Sequence, residues 1–331
     1  MIVNNEKDCI LDIRNLHVWY RTYGGFAEVL DGVNLMVKKG EKVGLVGEAG
    51  CGKTTTMRSV LRILPENAVV PKGEILFHGQ DILKMKSQEI NKVRTQGISM
   101  IFQEPSAALN PVFTIGTQMF DVIRYSGSGK AKSKDEIKEL AVKAIREVYI
   151  PDPERILKSY PGQLSGGMKQ RVCIAMAIVT DRELLIADEP GTSLDVTIQD
   201  QVHRLLRGLV EKKGMSLIMI THSLGVAREM TDRIYVMYAG SIVETAETKV
   251  LFKDPMHPYT LGLLESVPRL TGGGMAEGIY GRIPNYLSPP QGCRFHPRCR
   301  LAAERCFEEK PPLMDVGEGH YVACFWVQGV I

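Results

Sequence analysis

No part of this sequence narrows its fold more than Lys42-Val43-Gly44-Leu45-Val46 running into Gly47-Glu48-Ala49-Gly50-Cys51-Gly52-Lys53-Thr54. The short apolar run reads as a buried strand, and residues from about Thr54 to Leu64 read as a helix. Between them the glycines let the backbone curl so that N–H groups point inward, at the positive end of the helix dipole. G-x-x-x-x-G-K-[ST] in that setting is a phosphate cradle. Lys53 supplies charge to the β- and γ-phosphates, and the Thr54 hydroxyl, with Thr55 beside it, is placed to reach Mg²⁺.

The flanking sequence repeats the strand–helix alternation. Residues 11–46 alternate as strands, and Gly73–Phe77, Ile98–Phe102, Leu184–Ala187 and Ser216–Ile220 read as further strands. Arg233 to Thr245 reads as a hairpin about Ala239-Gly240-Ser241. Between Glu104 and Tyr160 the pattern is helical, with a Ser133-x-x-Glu136 capping box opening one helix and Pro151 and Pro153 closing it. Ile198, Val202, Leu205, Leu206 and Leu209 mark an amphipathic helix stopped by Gly214. Such alternation implies an α/β fold with a mostly parallel sheet covered on both faces. Beyond about residue 250 the chain turns proline-rich (Pro255, Pro258, Pro268, Pro284, Pro289, Pro290, Pro297) with Gly272-Gly273-Gly274, an irregular appendage with little periodicity.

Leu164-Ser165-Gly166-Gly167-Met168-Lys169-Gln170 is the second informative stretch. Ser165 suits an N-cap, and Met168, Val172, Cys173 and Met176 fall on one face of the helix that follows. The glycines of its first turn leave backbone N–H groups uncovered, an anion receptor. Lying between the phosphate loop and Asp188-Glu189, this stretch resembles the signature of the ATP-binding cassette (ABC) ATPases. The resemblance implies a P-loop NTPase core with an antiparallel β subdomain, a helical subdomain at about 104–162, an ATPase domain over 1–250 and an extension over 251–331. It also implies that Ser165, Gly166, Gly167 and Gln170 bind the γ-phosphate of an ATP held by a second cassette, so a dimer, of identical or paralogous chains, is required.

The same resemblance assigns the remaining site residues. Asp188, closing a buried strand, is expected to hold Mg²⁺ with Thr54 and Gln103, and Glu189 to be the general base for the attacking water. Gln103 links ATP to the helical subdomain, and His222 matches the switch histidine that contacts the γ-phosphate. Ser193-Leu194-Asp195 resembles the loop that crosses the dimer interface, with Ser193 where Ala is usual, and Ala49 stands where relatives often carry Ser. Tyr20 is the expected adenine-stacking aromatic, with Tyr23 as the other candidate.

Cys293, Cys299, Cys306 and Cys324 crowd the last 39 residues with spacing C-x5-C-x6-C-x17-C, whereas Cys9, Cys51 and Cys173 are scattered. In a reducing compartment such crowding suggests metal rather than disulfides. The spacing lacks the paired C-x2-C of structural zinc, and four thiolates suit a [4Fe–4S] cluster, with zinc and reduced core cysteines as the other readings. Pro255-Met256-His257-Pro258-Tyr259-Thr260 and Gly292-Cys293-Arg294-Phe295-His296-Pro297-Arg298-Cys299 resemble the tails of ATPase subunits in bacterial peptide and nickel importers.

A net charge of +3 gives no argument for nucleic acid, and no stretch approaches the roughly 18–20 apolar residues of a membrane span. The expectation is a peripheral protein at the cytoplasmic face of the membrane. Its partners would be two transmembrane permease subunits and, indirectly, an extracytoplasmic binding protein. Substrates stay open among dipeptides, longer peptides, nickel and glutathione. Soluble cassette proteins of translation or DNA repair are the competing class, but the doubled cassette or long coiled coil usual there is absent.

Overall fold

In β1 (Cys9–Thr22) Leu11, Ile13, Leu16 and Val18 are buried, and in β2 (Gly25–Lys38) Leu30, Val33, Leu35 and Val37 match them. The two pair antiparallel, with Thr22 opposite Gly25 at the turn. In the computed structural model the described residues are 8–126, 132–192, 194–266 and 278–330. Residues 1–7, Ser193, Pro268 and Gly272–Gly274, on which some of these readings fall, lie outside them. The chain divides into two units, Met1–Lys84 with Ile220–Ile331, and Met85–Met219.

In the first unit β3 (Lys42–Val46) is followed by the phosphate loop and helix Lys53–Val60, then by β4 (Ala68–Phe77) and β5 (Gln80–Asp81). One sheet has the order β2-β1-β4-β5, the expected antiparallel part. The helix ends a turn before the expected Leu64. Arg62 takes a left-handed φ of 51°, and the Ile63 N–H returns to the Arg58 carbonyl to close the end.

The second unit holds β6 (Ile98–Ile101) and β7 (Leu184–Asp188), which pair parallel, and β8 (Ser216–Thr221), in whose last residues the division falls. Every residue of β7 is buried, as its unbroken apolar run requires. Helices Ile115–Tyr125, Lys134–Glu147 and Pro153–Lys158 occupy the stretch read as helical. The Ser133 box forms: its hydroxyl accepts from the Glu136 N–H at 3.2 Å, and the Glu136 carboxylate accepts from the Ser133 N–H at 2.6 Å. Pro153 does not close that helix but opens the next, at a position where its missing N–H has no intrahelical partner to lose. Asp152 precedes it as the N-cap, accepting from the Arg155 N–H.

Back in the first unit, β9 (Arg233–Tyr238) runs parallel to β3 and turns through Ala239-Gly240, both at positive φ, into β10 (Ser241–Glu247). The appendage is more regular than its composition suggests. Helices Thr248–Lys253 and Pro258–Glu265 follow, and β11 (Met314–Gly317) and β12 (His320–Val322) extend the order to β11-β12-β10-β9-β3. The short pairings were hidden because β12 offers three residues, too few for an alternation to show. Among the described residues no helix is long and apolar enough to cross a membrane.

Candidate nucleotide site

The phosphate loop is built into the first unit by contact on all sides. A Cβ at Gly47 would stand 2.2 Å from the Met237 carbonyl oxygen of β9, so only glycine lets strand and loop approach this closely. Lys53, 5% exposed, folds back so that Nζ donates to the Gly47 carbonyl at 2.7 Å and the Glu48 carbonyl at 3.0 Å. Cys51 is buried, its thiol pKa raised first by that burial, and its carbonyl accepts from the Gly240 N–H at 2.8 Å. Tyr20, at the end of β1, places its hydroxyl 3.4 Å from the Thr55 hydroxyl, whereas Tyr23 is fully exposed at the turn. His222 is exposed between β8 and helix Leu224–Met230, which Ser223 caps.

The second unit carries the acidic and signature residues. Asp188, 2% exposed, ends β7. Glu189 follows at a φ of 45°, a left-handed conformation that costs a residue with a Cβ about 1–3 kcal/mol. Its carboxylate accepts from Gln103 Nε2 and from the Thr192 hydroxyl, both at 3.2 Å. The expected base and the expected sensor residue are thus brought together, with Thr192 as a partner that no motif announced. These two neutral donors fix the direction of the carboxylate.

Ser165 caps the helix Gly166–Ile178 through the Met168 N–H at 3.3 Å, and Gly166 and Gly167 form its first turn. The helix is not one-faced. Val172, Cys173, Ile174, Ala175, Ala177 and Ile178 are buried around it, while Met168 and Met176 are only half-buried. Gln170 is fully buried, and among the described residues its side-chain amide has no partner. Asp195 caps helix Val196–Lys213, accepting from the Ile198 N–H at 3.0 Å.

Residues far along the chain complete the loop's surroundings. The Tyr259 hydroxyl accepts from the Glu48 N–H at 2.9 Å, and the Tyr286 hydroxyl donates to the Gly50 carbonyl at 2.7 Å. Arg298 Nη1 donates to both Glu48 carboxylate oxygens, at 3.0 and 3.2 Å. None belongs to a nucleotide motif, and sequence reasoning missed all three.

Cys293, Cys299, Cys306 and Cys324 line one small cavity together with His257, Phe295, His296 and Trp326. Among the described residues, however, no three His, Cys, Asp or Glu side chains are gathered closely enough to hold a metal ion. The described residues therefore do not support the expected iron–sulfur or zinc centre. Burial first pushes the Cys293 thiol up to about 11 and raises Cys299 and Cys324 as well. Thiols raised in this way are neutral at neutral pH.

Comparison with known proteins gives two family matches. Residues 30–192 match the ABC transporter family, and residues 243–306 match the oligopeptide/dipeptide transporter C-terminal region. A probable peptide ABC transporter ATP-binding protein of Sinorhizobium fredii is 43% identical, over 97% of this chain and 96% of that protein. The dipeptide transport ATP-binding protein DppD of Bacillus subtilis is 42% identical, over 96% and 95%, and OppD of the same species is 42% identical, over 95% and 87%. Among solved structures, the dimeric ATP-binding cassette MJ0796 bound to ADP and Pi superposes with a TM-score of 0.64 at 26% identity, covering 72% of this chain and 98% of that one. A cassette sequence in its first two-thirds and a transporter tail in its last third give one conclusion: the chain belongs to the ABC transporter ATP-binding proteins, in the branch carrying the oligopeptide/dipeptide transporter C-terminal region.

Proposed function

We propose that this chain is the ATP-hydrolysing subunit of an importer for dipeptides or oligopeptides. It would act at the cytoplasmic face of the membrane with a second cassette, two permease subunits and an external binding protein. The observation that carries the reading is similarity over nearly the whole chain, tail included, to proteins named for peptide and dipeptide transport. A tail match over residues 243–306 favours this branch over cassette proteins of translation or DNA repair, and those relatives' names favour peptides over nickel or glutathione.

In this reading the N–H groups of Gly47–Thr54 cradle the triphosphate. Lys53 exchanges the Gly47 and Glu48 carbonyls for phosphate oxygens. Thr54, Asp188 and Gln103 attend Mg²⁺, which would neutralise charge building on the β- and γ-phosphates. Glu189, already aimed by Gln103 and Thr192, takes the proton of the attacking water. His222 steadies the γ-phosphate, Tyr20 stacks on adenine, and Ser165 with Gly166 and Gly167 closes over the partner's ATP. Little covalent chemistry is asked of the protein; positioning and charge supply the acceleration.

Uptake of labelled dipeptide, tripeptide and nickel by cells lacking the gene tests this. Loss of peptide uptake, restored by the wild-type gene and not by Glu189→Gln, is expected. Unchanged peptide uptake alongside lost nickel uptake overturns the substrate class.

A further inference from the structure

Arg298 is buried in the appendage, its side chain 5% exposed, and its donors are spoken for. Nε donates to the Tyr280 carbonyl at 2.8 Å, Nη2 to the Ile279 carbonyl at 3.0 Å, and Nη1 to the Glu48 carboxylate. The guanidinium also lies over the Tyr238 ring, 5.6 Å from its centroid. A buried arginine fixed by two backbone carbonyls is a rigid fork, and what it holds is the acidic residue inside the phosphate loop. Two tyrosines of the same appendage hold the loop backbone at Glu48 and Gly50.

Glu48 poses an electrostatic problem. A loop that receives a polyphosphate carries a carboxylate at its second position, and like charges at this range repel. We propose that Arg298 is a positioning residue for nucleotide binding: it neutralises Glu48 and pins its side chain, so that the loop presents N–H groups and no unpaired carboxylate. This rests on the reading of Gly47–Thr54 as the phosphate site. The turn His296–Arg298 leads directly into Cys299, so the thiol cavity and the phosphate loop share one structural element.

The test is the dissociation constant for MgATP, measured by titration on the full-length protein, together with thermal stability. Arg298→Ala is expected to weaken MgATP about tenfold, the scale of a charge-assisted hydrogen bond. Adding Glu48→Gln to Arg298→Ala should recover much of that loss, because the uncompensated charge is gone. Arg298→Lys, which keeps the charge and loses the fork, should fall between wild type and Arg298→Ala. Raising the salt concentration should shrink the Arg298→Ala defect. A lowered melting temperature with unchanged affinity overturns the proposal, as does a double variant no better than Arg298→Ala. Should Arg298→Ala fail to fold, Tyr286→Phe and Arg298→Lys decide: affinity weakened about two- to fivefold supports the proposal, and wild-type affinity in both refutes it. Wild-type protein that binds no MgATP, or a Lys53→Ala variant that binds normally, would instead strike the phosphate-loop reading itself.

Discussion

Glu244 offers a sharp test of how the appendage is fastened to the cassette. It is fully buried in β10, and its carboxylate accepts from the Met256 N–H at 2.8 Å and the His257 N–H at 3.0 Å. The His320 Nε2 stands 2.7 Å from the same oxygen that serves Met256. Glu244→Gln keeps the shape and turns one acceptor oxygen into an NH₂ donor. If the amide oxygen stays where Met256 and His320 converge, the NH₂ faces the His257 N–H, and two buried donors are left unsatisfied. At about 1–3 kcal/mol each the variant loses about 2–6 kcal/mol. For a chain of 331 residues that corresponds to a fall of about 3–9 °C in melting temperature.

The pH dependence adds a second reading of the same substitution. Burial alone would raise the Glu244 carboxyl, but hydrogen bonds from His320 and the two backbone N–H groups outweigh it and hold the pKa below its ordinary 4.5. A carboxyl depressed on folding contributes stability that is present above its unfolded pKa and lost as pH falls through the folded one. Circular-dichroism melts should therefore show a wild-type-to-variant gap that is full near neutrality and narrows below about pH 4.5. A gap under about 2 °C at neutral pH, or one indifferent to acid, would refute the reasoning.

Three further outcomes are expected. Glu189→Gln should lower the hydrolysis rate by about 10²–10⁴ while leaving ATP binding intact, and gel filtration with ATP should show a trapped dimer; near-wild-type turnover would remove Glu189 as the base. Gly47→Ala drives a Cβ to 2.2 Å from the Met237 carbonyl, so it should cost about 1–3 kcal/mol in denaturant melts and weaken MgATP as well. Ser165→Arg should abolish hydrolysis with nucleotide affinity unchanged, since in the proposed reading the helix that Ser165 caps serves the partner's ATP; full activity, read as rate against protein concentration, would contradict a shared site.

What the sequence disclosed, it disclosed locally. The strand, glycine-rich loop and helix about Gly47–Thr54, the Ser165 cap, the Ser133 box and the Ala239-Gly240 turn each rest on residues within a few positions of one another, and the structure forms all four as expected. Errors came where one residue type serves two purposes. Pro153 starts a helix as readily as it would end one, and with Asp152 as its cap it opens Pro153–Lys158. The appendage read as irregular because its strands are three and four residues long and its helix Pro258–Glu265 is apolar on more than one side.

The phosphate loop shows why even a perfect motif leaves its own geometry unexplained. A receptor for anions must turn its N–H groups inward and its carbonyls away, and each carbonyl turned away needs a donor. Gly47 and Glu48 find theirs in Lys53, within the motif. Cys51 finds its donor in the Gly240 N–H, and Gly50 in the Tyr286 hydroxyl. In the proposed reading a triphosphate would draw Lys53 away, and those last two bonds, the Tyr259 bond to the Glu48 N–H and the Arg298–Glu48 pair would continue to hold the loop from outside. They come from residues nearly 190 to 250 positions distant, where no periodicity or spacing links them to Gly47–Thr54. The appendage is in this sense a part of the nucleotide site, and its loss should be felt first in affinity for ATP rather than in the rate of the chemical step.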